Sequence, residues 1–263
     1  MIGTVRASFT IIVLLLVTLP LIPIQIILNG LKLPSRRKLP SLWHRFAARI
    51  IGLKVTVQGE ISDKRPLLIV ANHISWLDIV AISTSGPVCF IAKQEVSSWP
   101  AFGLLAKLQR TVFVNRERRS ATGKKTNEIA DRLNDGDVMV LFAEGTSTSG
   151  AHVLTFRSAL IGAAQRAIRD DETVWIQPVA LAYTHLQGMA AISTERALTG
   201  FYGDMEMGPH LLGVLKEAAI DVSVVYGKPY QVGAATNRKE LTKKLETDVR
   251  TMKTTALRGT KKS

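Results

Sequence analysis

The chain has 263 residues, of which 46% are hydrophobic and 21% charged, which suits one large folded domain or two small ones. Its single cysteine, Cys89, excludes an intramolecular disulfide and a zinc site built on cysteines. A disulfide-stabilised secreted module and a globally disordered chain are therefore both excluded.

The formal net charge of +13 is concentrated at the two ends of the chain. Residues 1–59 contain eight Lys or Arg and no acidic residue, and residues 238–263 have a net charge of +6. Residues 60–237 have a net charge of −1. This distribution favours an anionic membrane surface as partner and argues against a nucleic acid, which would need a basic groove in the core. For the C-terminal tail alone, a role in solubility is an equal alternative.

The N-terminus predicts a membrane-associated helix. The 20 residues from Phe9 to Leu28 carry no charge, and as a helix they would span about 30 Å, the thickness of the hydrocarbon core. A signal peptide is the rival interpretation, but no small-residue cleavage site ends the run. Pro20 and Pro23 predict a kink, so the segment either crosses the bilayer or dips into one leaflet. If it crosses, the basic residues that follow it place the rest of the protein on the cytoplasmic side of a bacterial-type inner membrane.

A short amphipathic helix is predicted to follow, beginning at Pro40-Ser41. Its apolar face would carry Trp43 and Phe46, and its polar face Arg45 and Arg49. Two placements stay open for this helix: at the level of the lipid headgroups, or packed on the domain as an ordinary surface helix.

Beyond residue 54, short apolar strands alternate with helices. Strands are predicted at 54–58, 66–71, 88–92, 111–114, 138–142, 174–182 and 220–226, and helices at 77–84, 124–134, 158–169 and 238–255. This order predicts an α/β fold, a mostly parallel sheet flanked by helices. We divide the chain into a membrane-anchoring segment (1–53), an α/β domain (54–237) and a basic C-terminal helix and tail (238–263).

Two loops that follow buried strands carry residues suited to catalysis. In the first, His73 is a candidate general base, and Asp78 in the next helical turn could hold its other ring nitrogen. The spacing alone is weak evidence, because a helix-capping Asp beside an unrelated His gives the same pattern. The second loop, 142–150, is rich in Gly, Ser and Thr, and its backbone N–H groups could bind an anion. A plain turn is the alternative for that loop.

Taken in order, four blocks of the sequence resemble the glycerolipid acyltransferase family, whose best-known members are the 1-acyl-glycerol-3-phosphate acyltransferases. The first block, Asn-His-x4-Asp, is matched by Asn72, His73 and Asp78. The second resembles 112–116, and the fourth, an apolar strand with a central proline, resembles 176–179. The third, Phe-Pro-Glu-Gly-Thr-Arg-Ser, is matched at Phe142, Glu144, Gly145 and Thr146. The segment 93–103 is also similar, and the resemblance covers residues 50–230.

The resemblance implies a role for each matched residue. His73 would take the proton of an acceptor hydroxyl, and Asp78 would orient it, with no covalent acyl-enzyme. Arg116 would hold the acceptor's phosphate or another anionic head group. Glu144, Gly145 and Thr146 would shape the same pocket, and two further cations would add positive charge to it, Arg157 and Lys93.

The implied reaction moves a fatty acyl group from acyl carrier protein (acyl-ACP) or acyl-CoA to a lysolipid hydroxyl, with no cofactor and no metal. Ser147 stands where the family carries an arginine, which removes one candidate phosphate clamp, and Ala143 replaces a proline. These features leave two candidate acceptors. The first is 1-acyl-glycerol-3-phosphate, giving phosphatidic acid, and the second is lyso-ornithine lipid, a zwitterion without phosphate. We expect the phosphate acceptor first, because it is the commoner in the family. A non-catalytic basic membrane adaptor with the same fold is a third hypothesis.

Overall fold

Helices and strands alternate through most of the chain in a computed structural model that describes residues 1–114, 122–165, 173–191, 198–217, 219–233 and 235–259. The helices are α1 (Ile2–Gly30), α2 (Ser35–Ile51), α3 (Leu77–Ser85), α4 (Phe102–Leu108), α5 (Thr122–Asn134), α6 (Ser158–Gln165), α7 (Met207–Lys216) and α8 (Arg238–Arg258). The strands are β1 (Leu53–Gln58), β2 (Leu67–Ala71), β3 (Cys89–Lys93), β4 (Val112–Val114), β5 (Val138–Phe142), β6 (Val174–Leu186), β7 (Met189–Ala190), β8 (Ile220–Tyr226) and β9 (Tyr230–Val232). A short 3-10 helix, Gln94–Ser98, follows β3.

The strands form one sheet in the order β1-β8-β6-β2-β5-β3-β4, with β7 and β9 also paired to β6. The β6-β2, β2-β5, β5-β3 and β3-β4 pairs are parallel, and β1 is parallel to β8. β6 pairs antiparallel with β8, so β1 and β8 run opposite to the other main strands. The predicted α/β fold with a mostly parallel, helix-flanked sheet is confirmed.

Both faces of the sheet are covered by helices. Along β2, Leu67, Ile69 and Ala71 pack into the core on the side of α1, α2, α3 and α7, whereas Leu68 and Val70 pack on the side of α5, α6 and α8. Strands buried on both faces read as continuous apolar runs, which is why the sequence predicts β2 and β5 to within one residue.

α1 is long and apolar enough to cross a membrane by length and composition. It continues as a helix through Pro20 and Pro23. The three polar residues of its uncharged run all face the protein: Thr10 is buried, Thr18 accepts a hydrogen bond from the Trp43 indole (2.9 Å), and Gln25 is buried. The opposite side exposes large apolar residues, among them Phe9, Ile12, Leu15, Leu16, Leu19, Ile26 and Ile27.

Both ends of α1 are held against the domain. Near its start, Arg6 donates hydrogen bonds to the carbonyls of Ile51, Leu215 and Glu217, which end α2 and α7. Near its end, Gln25 donates to the carbonyls of Arg36 (2.9 Å) and Leu108 (3.2 Å). α1 is therefore packed against the domain at both ends, and its apolar outer side is left exposed.

α2 begins at Ser35, so the predicted start at Pro40-Ser41 is wrong. The helix tolerates Pro40 in its interior because the carbonyl that Pro40 cannot bond, that of Arg36 four residues earlier, accepts from Gln25 instead. His44, Ala47, Ala48 and other residues of α2 are buried against the domain. The structure therefore packs this helix on the domain.

Candidate active site

The two candidate loops lie side by side because their strands are neighbours in register. Ala71, the last residue of β2, pairs with Phe142, the last residue of β5, and with Val179 of β6. His73 and Glu144 therefore leave the sheet at the same edge, two residues beyond paired positions. Asn72 extends the contact to β6, because its amide donates to the Leu181 carbonyl (3.1 Å) and accepts from the Leu181 N–H (2.8 Å).

His73 and Asp78 are in direct contact. His73 Nδ1 lies 2.8 Å from Asp78 Oδ2, and the same oxygen accepts from the N–H groups of Ile74 (2.6 Å) and Ser75 (3.0 Å). A carboxylate oxygen with these partners is an acceptor, so Nδ1 carries the hydrogen and Nε2 has the free lone pair. The imidazole stacks on Phe142 with ring centroids 3.9 Å apart, and it is partly exposed. Asp78 thus caps the loop and orients His73 at once.

Tyr183 completes this cluster, and the sequence analysis missed it. Its hydroxyl donates to Asp78 Oδ1 at 2.8 Å, and both side chains are buried. Burial, together with the neighbouring carboxylate, raises the pKa of Tyr183 well above its usual value, so the hydroxyl stays a donor. The only sequence signal is a tyrosine in an otherwise apolar run beside Ala182, one residue past the predicted end of the strand.

Glu144 holds the backbone of the His73 loop. Its Oε1 accepts from the His73 N–H and its Oε2 from the Leu154 N–H, both at 2.8 Å, and its side chain is buried. The Thr148 N–H donates to the His73 carbonyl at 3.0 Å, so the loop after β5 bonds both polar backbone groups of His73. Burial raises the pKa of Glu144, while the two N–H donors and the charges of His73 and Lys253 oppose that shift. The carboxylate therefore shapes the site by fixing His73.

Gly145 permits the tight turn that carries Glu144. Its φ is +77°, in the region that favours glycine, and its N–H donates to the Phe142 carbonyl at 3.2 Å. Thr146, the next residue, is exposed, and its hydroxyl lies 3.5 Å from the Ser147 carbonyl. Thr146 is thus exposed and Ser147 partly exposed, at the edge of the sheet that carries His73.

The C-terminal helix α8 supports the same loop from the opposite side. Lys253 is buried and donates to the Gly150 carbonyl at 2.6 Å, and Glu246 Oε2 accepts from the Phe156 N–H at 2.8 Å. A Cβ on Gly150 would lie 3.1 Å from Ile74, which connects the loop back to the His73 segment. The predicted basic helix therefore reaches the candidate site through one of its lysines.

Two of the three predicted cations, Lys93 and Arg157, lie within the described residues. Lys93 ends β3 at the same edge of the sheet, and the Arg157 N–H donates to the Ala143 carbonyl at 2.8 Å. The side chains of Lys93 and Arg157 are exposed and make no hydrogen bond or ion pair within the described ranges. Arg116 follows β4, which ends at Val114, and lies outside the described residues.

An aromatic cluster borders the His73 loop. The Trp76 indole N–H donates to His210 Nδ1 at 3.1 Å, and the Phe201 ring lies 5.3 Å from the His210 ring. The Phe201 N–H donates to the Ile74 carbonyl at 2.9 Å. Burial lowers the pKa of His210. In the parts of the chain that the structure describes, no three His, Cys, Asp or Glu side chains are grouped as metal ligands are.

Comparison with known proteins agrees with this geometry. The family model described as Acyltransferase matches residues 53–182, which include His73, Asp78 and the Glu144 loop. A lyso-ornithine lipid O-acyltransferase of Brucella abortus is 48% identical over 261 residues, covering 98% of each chain. A second protein of that name, from Rhizobium meliloti, is 43% identical over all of this chain and 91% of its own.

The chain belongs to the glycerolipid acyltransferase family. It is an acyltransferase. A 1-acyl-sn-glycerol-3-phosphate acyltransferase of Neisseria gonorrhoeae is 32% identical over 78% of this chain and 75% of its own. The crystal structure of a 1-acyl-sn-glycerophosphate acyltransferase from Thermotoga maritima has the same fold, with a TM-score of 0.65, 21% identity and coverage of 95% of this chain and 92% of that one. An apolar N-terminal helix in a family of lipid acyltransferases indicates association with a membrane.

Proposed function

We propose that this acyltransferase moves a fatty acyl group to the free hydroxyl of lyso-ornithine lipid, giving ornithine lipid. The observation that carries the proposal is the similarity, over nearly the whole chain, to two proteins named for that activity. Ser147 supports it, because the arginine that the family pattern has at this position would suit a phosphate, which a lyso-ornithine lipid lacks. The order of the two acceptors expected from the sequence is thereby reversed.

The proposed mechanism uses His73 as general base. Its Nε2 takes the proton of the acceptor hydroxyl, and the oxygen attacks the carbonyl carbon of the acyl thioester. The carbon–sulfur bond then breaks, and the thiol leaves with the proton that His73 returns, so the enzyme ends the cycle unchanged. Asp78 holds the productive tautomer through Nδ1 and stabilises the imidazolium while it exists.

The acyl donor in this proposal is acyl-ACP or acyl-CoA, and both donors are water-soluble. Lys93, Arg116 and Arg157 are the cations assigned to binding anionic groups of acceptor or donor. Lys93 and Arg157 are exposed at the catalytic edge and free to reorient toward a phosphate or carboxylate. Anionic membrane lipids are the third proposed partner, for the basic N-terminal region.

We further propose that α1 lies in one leaflet and does not cross the bilayer. About 28 Å of helix separates Arg6 from Gln25, and both residues are bonded to the same domain. A helix held at both ends presents one side to lipid, and that side is uniformly apolar. We place the domain on the cytoplasmic face of a bacterial-type inner membrane, where both thioester donors are found.

The first test is an acyl-transfer assay on the detergent-solubilised full chain with labelled acyl-ACP and acyl-CoA. Lyso-ornithine lipid and 1-acyl-glycerol-3-phosphate are offered separately. We expect product from lyso-ornithine lipid, and a loss of about a hundredfold or more for His73→Ala, because general-base catalysis contributes 10²–10⁴-fold. His152→Ala, an exposed histidine outside the cluster, is the matched control and should keep wild-type turnover.

Three results would refute parts of this proposal. Product from 1-acyl-glycerol-3-phosphate alone would make phosphatidic acid synthesis the function, the reading that the Neisseria relative supports. Wild-type turnover by folded His73→Ala would remove the assigned base. No product from either acceptor would favour the adaptor hypothesis.

A further inference from the structure

The segment 198–216 lies beside α1 and beside the His73 loop, and it exposes large apolar side chains. Leu198 is 58% exposed and Leu212 is 43% exposed. On α7, Leu211, Val214 and Leu215 turn toward the core, so Leu212 projects from another side of the helix. An apolar side chain left exposed beside an apolar helix is a candidate for contact with lipid.

The position of Leu212 relative to α1 indicates lipid as its partner. Leu212 and Lys216 are one turn apart on the same side of α7, and Lys216 packs on α1, where a Cβ on Gly3 would lie 3.3 Å from the Lys216 Cβ. Arg6 bonds the carbonyls that end α7. The exposed part of Leu212 therefore lies on the side of α7 that borders α1.

The opposite side of α7 contacts the catalytic loop. His210 accepts from Trp76, which lies between His73 and Asp78 in the chain, and Phe201 bonds the Ile74 backbone. The segment 198–216 thus connects the α1 surface to the loop that carries His73.

We propose that the segment 198–216 is a second membrane contact, which inserts Leu212 and Leu198 into the same leaflet as α1 and sets the opening of the site at the lipid surface. This inference rests on the proposed membrane placement of α1. Asp204 and Glu206 are exposed in the turn before α7, and their charges keep that turn out of the hydrocarbon while Leu212 lies deeper. A lysolipid acceptor would then reach His73 by moving within the leaflet.

The test places an environment-sensitive fluorophore on single introduced cysteines of the full chain: Leu212→Cys, Leu16→Cys on the outer face of α1, and Val57→Cys at a position of edge strand β1 that is 43% exposed. Cys89 is buried and leaves no background label. The proteins are bound to vesicles of phosphatidylethanolamine and phosphatidylglycerol that carry a quencher on the acyl chains. Each labelled protein must first show acyl transfer in detergent, which establishes that it is folded.

We expect a blue shift and quenching at position 212 comparable to those at 16, and neither at 57. Quenching at 16 with aqueous emission at 212 would overturn the second contact and leave the α1 placement standing. Aqueous emission at both positions would overturn both. A blue shift at 212 without quenching would mean that protein, such as a second copy of the chain, covers the surface, and would also overturn the inference.

Discussion

Asp78 shows how one buried carboxylate can organise a reactive side chain. Its two oxygens accept four hydrogen bonds, from His73, from two backbone N–H groups and from Tyr183. It also lies in the first turn of α3, where the helix dipole favours a negative charge. The cost of burying the charge is offset by these partners, and the imidazole is left with one orientation.

The Tyr183 hydroxyl is expected to contribute to turnover through Asp78. Tyr183→Phe leaves Asp78 Oδ1 without its donor, and a hydrogen bond to a charged group is worth about 1.5–3 kcal/mol. We expect the free energy of unfolding to fall by about that amount and kcat to fall about tenfold, with KM unchanged. Steady-state kinetics and urea unfolding on the same preparation measure both.

Tyr230→Phe is the matched control for that experiment. Its hydroxyl donates to Asp248 at 2.6 Å, a similar tyrosine–carboxylate bond on the α8 side of the sheet. This variant should lose stability and keep kcat. If Tyr183→Phe also keeps its kcat, the hydroxyl is structural only.

The sequence predicts the local contacts of the site but not the long-range ones. The contact between His73 and Asp78 is local, because five residues across a strand-to-helix turn fix it, and the sequence predicts it. The bond from Tyr183 to Asp78 and the one from Lys253 to Gly150 join residues more than 100 positions apart. They exist because β6 pairs with β2 and α8 packs on β6, and single-sequence periodicity carries no information on either pairing.

At the scale of elements, α8 is the support of the catalytic loop rather than a solubilising tail. Leu241, Leu245 and Val249 pack on the sheet, and Lys253 and Glu246 bond the backbone of the loop that follows β5. The charge of Lys253 also lowers the pKa of Glu144. α8, which the sequence identifies by its basic charge, thus places the ammonium group of Lys253 in the protein interior.

Lys253→Met should lower kcat about tenfold and shift the acidic limb of the pH–rate profile to higher pH. The shift has this sign because the lost positive charge no longer favours the ionised form of Glu144, whose pKa rises further. Lys243→Met, an exposed lysine of the same helix, is the control and should change neither quantity. An unshifted profile for Lys253→Met would mean that the ammonium group acts on the loop by packing alone.

α2 carries a buried histidine that makes its docking sensitive to acid. His44 Nε2 donates to Gln109 Oε1 at 3.0 Å, and burial lowers the pKa of His44 from 6.5 to about 4. Below pH 6.5 the unfolded chain binds a proton that the folded protein does not, so stability falls as pH falls. The loss over this interval is about 3 kcal/mol.

Urea unfolding of wild type and His44→Gln between pH 6.5 and pH 4 tests this linkage. Other groups titrate in both proteins, so the difference between the two slopes isolates His44. The variant should lose less stability on acidification than the wild type. Equal slopes would show that His44 is protonated in the folded protein over this range.

At the scale of the whole molecule, the pattern of α1 decides how the enzyme meets its membrane. Thr10, Thr18 and Gln25 recur at spacings of eight and seven residues, which places them along one side of a helix. That side packs on α2, α4 and α7, and the remaining surface is apolar. The sequence contains this spacing of polar residues. The length and hydropathy of the run fit a membrane-spanning helix equally well, so the sequence alone does not decide between the two placements.

The single-leaflet placement predicts that both ends of α1 lie on one side of the membrane. Thr4→Cys and Lys239→Cys should react with a membrane-impermeant maleimide in inside-out vesicles and be protected together in right-side-out ones. Cys89 gives little background, because burial raises its pKa to about 12 and the reactive thiolate is absent at neutral pH. Labelling of position 4 from the side opposite to 239 would make α1 a spanning helix. It would also require that Arg6 give up the carbonyls of α2 and α7, since a guanidinium on the far side of a bilayer cannot reach them.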